Sequence, residues 1–442
     1  MSERFFSHPA DSSDPRARWL GGSSFRVRGG FRAIVAVVAM VLLAALAGCS
    51  AGRSASSAVP KEIKVGTLYA SQGSFAVSSV PQYQGLEFWA DQVNKDGGVM
   101  VKAYNKKIPV KIVAYNDNSS TATASTLYNQ LITQDKVQIL VADFGSVLTS
   151  VAVPIAKNNK MLLFDPTGTG ASFFTADNPY LVLTSLPSSG IWPTSLANFL
   201  VNAKIAKIAV IYGSNDFDQS QAETLKSMLT AAGVTPVYYE AVATDTKDYG
   251  VILRDIAAKK PDAVIEFGYA PNDIAFLQGI ESGGYHFNMT FAVFPGQQYA
   301  IMEKAVGSAG LQYTYTYPTP PLYGFNKVNY GLGMDEFIKT FEAANNVTNV
   351  NFLNIAGYNA GLVIQKALET STSLKPEDLR EAVAGFSGNL QTLDGSFKID
   401  ATGAQVGELL PVAQFQPAGG ELKPVIVFPA ALATGKAIYP AK

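Results

Sequence analysis

The sequence predicts an α/β fold built from two doubly wound parallel-sheet lobes, and three observations carry that reading. Segments such as Ile63–Leu68 (IKVGTL) and Val137–Ala142 (VQILVA) are apolar nearly throughout, as strands covered on both faces are. Stretches with apolar residues at helical spacing, such as Leu86, Trp89, Ala90 and Val93, alternate with them, which is the signature of a parallel sheet flanked by helices. The alternation also runs through twice in 442 residues, and a single core stops growing beyond about 250–300 residues.

The first series is read as strand Ile63–Leu68, helix Gln82–Asn94, strand Val110–Tyr115, helix Thr121–Ile132, strand Val137–Ala142, helix Leu148–Lys157 and strand Met161–Phe164. The pattern restarts with strand Tyr180–Thr184 and helix Trp192–Val201. It continues through strand Ile205–Tyr212, helix Gln219–Ala232, strand Val237–Tyr239, helix Tyr249–Ala258, strand Ala263–Phe267 and helix Ile274–Ile280. Strand character follows at Phe291–Phe294 and Leu311–Tyr317, then helices near Met334–Ala344, Phe352–Leu368 and Glu377–Ala384. The tail from Leu390 is Gly-rich and strand-like. In two such sheets, ligands bind beyond the carboxyl ends of the strands, where the lobes face each other across a cleft.

The N-terminus differs from the rest. Six arginines precede residue 49 against only Glu3, Asp11 and Asp14, and Ala33–Ala47 (AIVAVVAMVLLAALA) is uninterrupted apolar. That run is shorter than the ~20 residues of a spanning helix. A basic stretch, a short apolar core and small residues read as a secretory signal over residues 1–48, with a retained anchor helix as the alternative. The only cysteine, Cys49, ends Leu46-Ala47-Gly48-Cys49 and is followed by a Ser/Ala/Gly-rich stretch. This resembles a bacterial lipobox, in which Cys49 becomes the acylated first residue and residues 49–60 a flexible tether. Two or more acyl chains make a stable anchor where one is marginal.

The inventory excludes several classes of chemistry. With 34 Lys+Arg against 35 Asp+Glu, no basic footprint for nucleic acid is present. Beyond the signal the chain has one histidine, His286, in a loop, so no Cys/His metal cluster can form. There is no G-x-S-x-G elbow and no P-loop. Gly168-Thr169-Gly170 lacks the third glycine of a dinucleotide fingerprint. The reading expects no cofactor and no catalysis.

Several stretches resemble the type I periplasmic binding fold, specifically the leucine/isoleucine/valine-binding protein family. They are IKVGTLYASQGSFA, QGLEFWADQVNKDGGV, VKIVAYNDNSSTATASTLYNQLITQDKVQILVADFGS, GYNAGLVIQKAL and LDGSFKIDATG. Their order and spacing cover residues 61–428. The resemblance implies a three-segment hinge, with crossings near Leu186, Tyr315–Pro318 and Gly388. That assigns 61–186 and 318–388 to lobe 1, and 187–317 and 389–442 to lobe 2. It also implies an extracytoplasmic, monomeric protein that closes around a small solute and delivers it to the permease subunits of an ABC importer.

The family holds a ligand carboxylate with a Ser after the third strand and a Thr-bearing turn after the fourth, which fall here at Ser146 and at Thr167-Gly168-Thr169. Small hydroxyl and glycine residues near helix starts expose backbone N–H groups that attract anions; alternatively Ser146 merely caps its helix. In lobe 2 the matching aromatics are Phe217, where the family's hydroxyl is missing, and Tyr269. Gln72, in the loop Tyr69–Gly73, and Gln297 are read as bordering the cleft. Trp192 and the tyrosines Tyr313, Tyr315 and Tyr317 could do the same, although core packing explains them equally. Amino-acid-binding members supply an acid near the position of Gly296, where this chain has Phe294-Pro295-Gly296-Gln297-Gln298 and none. A buried ammonium without a partner is expensive. Either Glu266 or Asp143 substitutes, or the ligand lacks an ammonium, as an amide, urea-like compound or aromatic carboxylate does; a branched-chain amino acid is the ordinary family substrate. The rival readings are a ligand-sensing module of the same fold and, more weakly, a secreted hydrolase.

Overall fold

The computed structural model describes residues 58–325 and 327–441. Its first sheet takes shape from β1 (Ile63–Tyr69), α1 (Ala76–Lys95), the small hairpin β2 (Val99–Val101) and β3 (Lys106–Ile108), then β4 (Val110–Asn116), α2 (Thr121–Thr133), β5 (Ile139–Val141), α3 (Gly145–Asn159), β6 (Leu163–Asp165) and β7 (Leu181–Leu183). The strand order is β4-β1-β5-β6-β7, all parallel. Strand β7, which the sequence pattern groups with the second series, therefore completes the first. Apolar side chains on both faces of this sheet enter two separate clusters, one containing Ile63 and Phe164, the other Leu68 and Leu163. That two-sided burial explains the unbroken apolar runs.

The second lobe contains α4 (Pro193–Asn202), β8 (Ile208–Gly213), α5 (Asp216–Ala231), β9 (Tyr238–Val242), α6 (Gly250–Ala258), β10 (Ala263–Phe267), α7 (Ala270–Ser282), β11 (Thr290–Phe291), α8 (Tyr299–Leu311) and β12 (Tyr315–Thr316). The chain then returns to the first lobe for α9 (Met334–Asn345), α10 (Phe352–Thr370), α11 (Pro376–Phe386) and the hairpin β13 (Leu390–Thr392) and β14 (Gly395–Phe397). It ends in the second with β15 (Val412–Ala418) and β16 (Glu421–Phe428). The second sheet runs β16-β15-β12-β11-β10-β8-β9, with β15 and β16 antiparallel. Its parallel part repeats the first sheet's order, with the first strand lying between the second and third, so both lobes are doubly wound.

Local chemistry explains where the site-bearing helices start. Asn215 accepts from the backbone N–H of Asp218 ahead of α5, and Asn351 accepts from that of Leu353 ahead of α10; such caps satisfy orphan donors of the first turn. Helix α10 lies backbone to backbone against α1: a Cβ on Gly357 would sit 1.9 Å from the Gln82 carbonyl oxygen. This contact fixes the start of α10 at the cleft.

Three expectations need correction. The third crossing does not lie near Gly388, because Leu390, Leu393, Phe397 and Ile399 pack in the first lobe's core while Leu410 and Val412 pack in the second. Strand character cannot say which sheet a hairpin joins. Helix α8 stands where the sequence pattern shows no helix, and Gly307 interrupts it with a φ of +70°. It also takes Leu311 from the expected strand Leu311–Tyr317, leaving only Tyr315–Thr316. Likewise Phe291–Phe294 shortens to β11 followed by a 3-10 turn at Phe294–Gly296.

Candidate functional site

Side chains from both lobes surround a small cavity at the carboxyl ends of the strands, with about 10 Å³ of free space, room for about one water,. The first lobe contributes Phe144 at the start of α3, Pro166, Thr167 and Thr169 from the loop after β6, and Phe352 at the start of α10. Leu186 and Trp192 come from the first crossing and the turn beyond it. The second lobe contributes Phe217 and Tyr269, at the starts of α5 and α7, with Phe294 and Gln297 after β11. Rings meet edge to face or stacked around this space: Trp192 on Phe217 at 5.1 Å, Phe217 on Tyr269 at 5.3 Å, Phe144 on Tyr269 at 5.6 Å. No acidic or basic side chain lines it among the described residues.

Of the residues singled out from sequence, Thr167, Thr169, Trp192, Phe217, Tyr269 and Gln297 face this cavity. Ser146 and Gly168 do not line it, and Gln72 is exposed, with its carbonyl accepting from Ser119. Tyr315 and Tyr317 are core residues, packed on Phe199 and on Trp192 respectively. Phe144, Pro166, Phe294 and Phe352 are not marked by the sequence pattern because apolar residues are ordinarily core residues; their only signal is a position at a strand or helix end.

The expected anion cradle is filled by the protein itself. Phe144 N–H donates to Asp143 Oδ1 at 2.6 Å, Gly145 N–H to Thr167 Oγ1 at 3.0 Å, and Ser146 N–H to the Tyr269 hydroxyl at 3.0 Å. In the facing loop, Thr167 and Gly168 N–H groups donate to Asp165 Oδ1, Thr169 N–H to the Thr167 carbonyl, and Gly170 N–H to Ser146 Oγ. Ser146 neither caps α3 nor faces the cavity; it ties the two loops together. Gly145, at φ +74°, lets the Tyr269 ring approach: a Cβ there would lie 3.0 Å from Cε1 of the ring. Burial holds the Tyr269 hydroxyl far above its usual range, so it stays protonated.

Neither candidate acid reaches the cavity. Asp143 lies beneath it, accepting from Ser79 Oγ at 2.5 Å, and burial with the nearby charge of Asp117 pushes its carboxyl well up. Glu266 accepts from the Tyr249 hydroxyl at 3.0 Å deep in the second lobe, and burial raises its carboxyl although Asp273 and Tyr249 partly offset this. Asp165, below the Thr167 loop, is pushed by burial to about 7. Two polar atoms of the lining have no partner, Thr169 Oγ1 and Gln297 Nε2, on residues only 2% and 4% exposed.

A family model described as periplasmic binding protein matches residues 62–421. The chain belongs to that family. It is a type I member of the leucine/isoleucine/valine-binding group, whose members are extracytoplasmic solute-binding proteins rather than enzymes. A Leu/Ile/Val-binding protein homolog 7 of Brucella melitensis is 22% identical over 377 residues, covering 82% of this chain and 90% of that protein. Two solved structures share the two-lobed fold. One is the solute-binding protein of an ABC transporter from R. palustris in complex with benzoate (TM-score 0.68, 19% identity, 83% of this chain and 96% of that one). The other is a branched-chain amino acid transporter substrate-binding protein from Streptococcus pneumoniae in complex with isoleucine (TM-score 0.68, 18% identity, 83% and 100%). Among the described residues no helix is long and apolar enough to cross a membrane. Cys49 and the apolar run before it lie outside the described residues.

Proposed function

We propose that this protein is the substrate-binding component of an ABC importer, held to the membrane by a lipid on Cys49, and that it captures a small solute lacking an ammonium group between its lobes. The single observation that carries the ligand reading is the closed, two-lobed cavity without a charged side chain. A zwitterionic amino acid would need a partner for its ammonium there, and an unpaired buried charge is costly. Thr167, Thr169, Phe217, Tyr269 and Gln297 are the contacts we assign to the solute, while Ser146 and Gly168 shape the wall behind them. The lipobox-like Leu46–Cys49 supports the anchor, and the permease partners follow from membership of the family. Closure is a population shift: a solute touching both lobes favours the closed state by its differential affinity.

The test is a thermal-shift panel of amino acids, amides, urea and aromatic carboxylates. A solute at 100 times its dissociation constant adds roughly 2.7 kcal/mol of stability. Stabilisation by a non-amino-acid solute is expected, and a clear preference for leucine or isoleucine would refute the ligand reading. Changing Cys49 to Ser should move the protein from the membrane fraction to the soluble one; unchanged membrane association would refute the lipid anchor.

A further inference from the structure

We infer that the site selects an uncharged aromatic solute carrying one acceptor and one donor, as an aromatic primary amide does, and rejects the corresponding carboxylate. This deepens the solute-binding reading and rests on it. The first argument is the state of the backbone donors. All seven N–H groups of Phe144–Ser146 and Thr167–Gly170 are already engaged within the protein. An arriving carboxylate finds none free, and the Ser146 N–H at the start of α3, which would suit an anion best, is held by the Tyr269 hydroxyl.

The second argument is what remains unsatisfied. Buried polar groups are almost always hydrogen-bonded, so Thr169 Oγ1 and Gln297 Nε2 mark where a ligand supplies the partners. Gln297 Nε2 can only donate, and it calls for a carbonyl-type oxygen. Thr169 Oγ1 can accept, and it takes an N–H from the same ligand group. A primary amide offers both.

The third argument is shape and field. The space left free between the closed lobes is about 10 Å³, room for about one water, so an aromatic solute enters only as the lobes part and the walls close around it. The walls supply aromatic edges and faces, from Trp192 and Phe217 on one side and Phe144 on the other. A charged carboxylate would lose its water with no cation to compensate, and the Asp165 carboxyl lies beneath the Thr167 loop, accepting from the Thr167 N–H.

Titration calorimetry on the full chain in mild detergent, with benzamide, benzoate and leucine, decides this. Benzamide should bind, with benzoate weaker by roughly 100-fold or more, the effect of burying an unpaired charge. In Tyr269→Phe the Ser146 N–H is released, so benzoate should gain at least ~10-fold relative to benzamide. In Thr169→Val, a shape-conserving change, benzamide should weaken by roughly 10-fold. Benzoate or leucine binding as tightly as benzamide overturns the inference and leaves the solute-binding reading standing. An unchanged benzoate preference in a folded Tyr269→Phe overturns it too. Absence of binding by all three probes also overturns it, and a solute then recovered by mass spectrometry from the native protein would still uphold the broader reading.

Discussion

Asp394 offers the cleanest quantitative test of how the hinge region is built. It sits in the turn between β13 and β14, beside Ser185 of the first crossing, at 2% exposure, and neither carboxylate oxygen has a hydrogen-bond partner. Burial pushes its carboxyl from an ordinary 3.8 to about 7; the Ser185 hydroxyl is near enough to offset a little of this but makes no hydrogen bond to it. The folded chain thus holds the proton more tightly than the unfolded one. The resulting stability is full below about pH 4 and is lost as pH rises through about 7. At roughly 1.36 kcal/mol per pH unit between the two values, ionisation of Asp394 costs about 4 kcal/mol at pH 8. Asp394→Asn keeps the shape and cannot ionise. The amide adds a constant desolvation penalty of roughly 1–3 kcal/mol, so the informative quantity is the pH dependence of the difference between variant and parent. Urea denaturation from pH 4 to 8.5 should show the variant gaining on the parent by about 4 kcal/mol across that range. Asp165, also pushed to about 7, is present in both proteins and cancels. Parallel stability curves for the two proteins would refute the reasoning.

Three further outcomes follow from the site. Trp192, 3% exposed, lines the cavity and donates its indole N–H to the Pro187 carbonyl at 2.7 Å; Trp192→Ala should lower stability by about 3–5 kcal/mol in a denaturant titration and abolish solute binding in calorimetry. Gly145→Ala forces a side chain into a left-handed conformation beside the Tyr269 ring, and should lower stability by at least ~1–2 kcal/mol. Gln298, fully buried in the second lobe, accepts from Ser78 Oγ at 2.8 Å and donates to the Val77 carbonyl at 3.0 Å across the cleft. Its replacement by Ala should weaken closure by roughly 1–3 kcal/mol, seen as a larger scattering radius with solute present and a proportionate loss of affinity.

The fold was legible in the sequence because each strand carries its own evidence. Apart from Lys64 and Glu266, IKVGTL and AVIEF carry apolar or small residues on both faces, and a parallel sheet covered by helices is the structure that buries both,. Assignment of elements to lobes was less legible. LDGSFKID pairs with itself as a hairpin, so its pattern is satisfied locally and says nothing of the core beneath it. Helix α8 escaped because Gly307 interrupts the period that would reveal it.

The site was half legible, and the half that failed is instructive. Sequence can mark a Ser or Thr at a helix start as an anion-binding candidate, because its N–H groups are orphans of the helix geometry. It cannot say whether another part of the chain satisfies them. Here Asp143, Asp165, Ser146, Thr167 and Tyr269 do so, from three separate segments. The same reasoning works in reverse for the acids. Glu266 ends an apolar strand, as a ligand-binding acid would, yet its one hydrogen-bonded oxygen serves Tyr249 inside the lobe. What distinguishes a binding group from a structural one is an unmet hydrogen bond facing a space, and that property exists only once both lobes are in place. Thr169 and Gln297 meet it, and Ser146, the residue most expected to, does not.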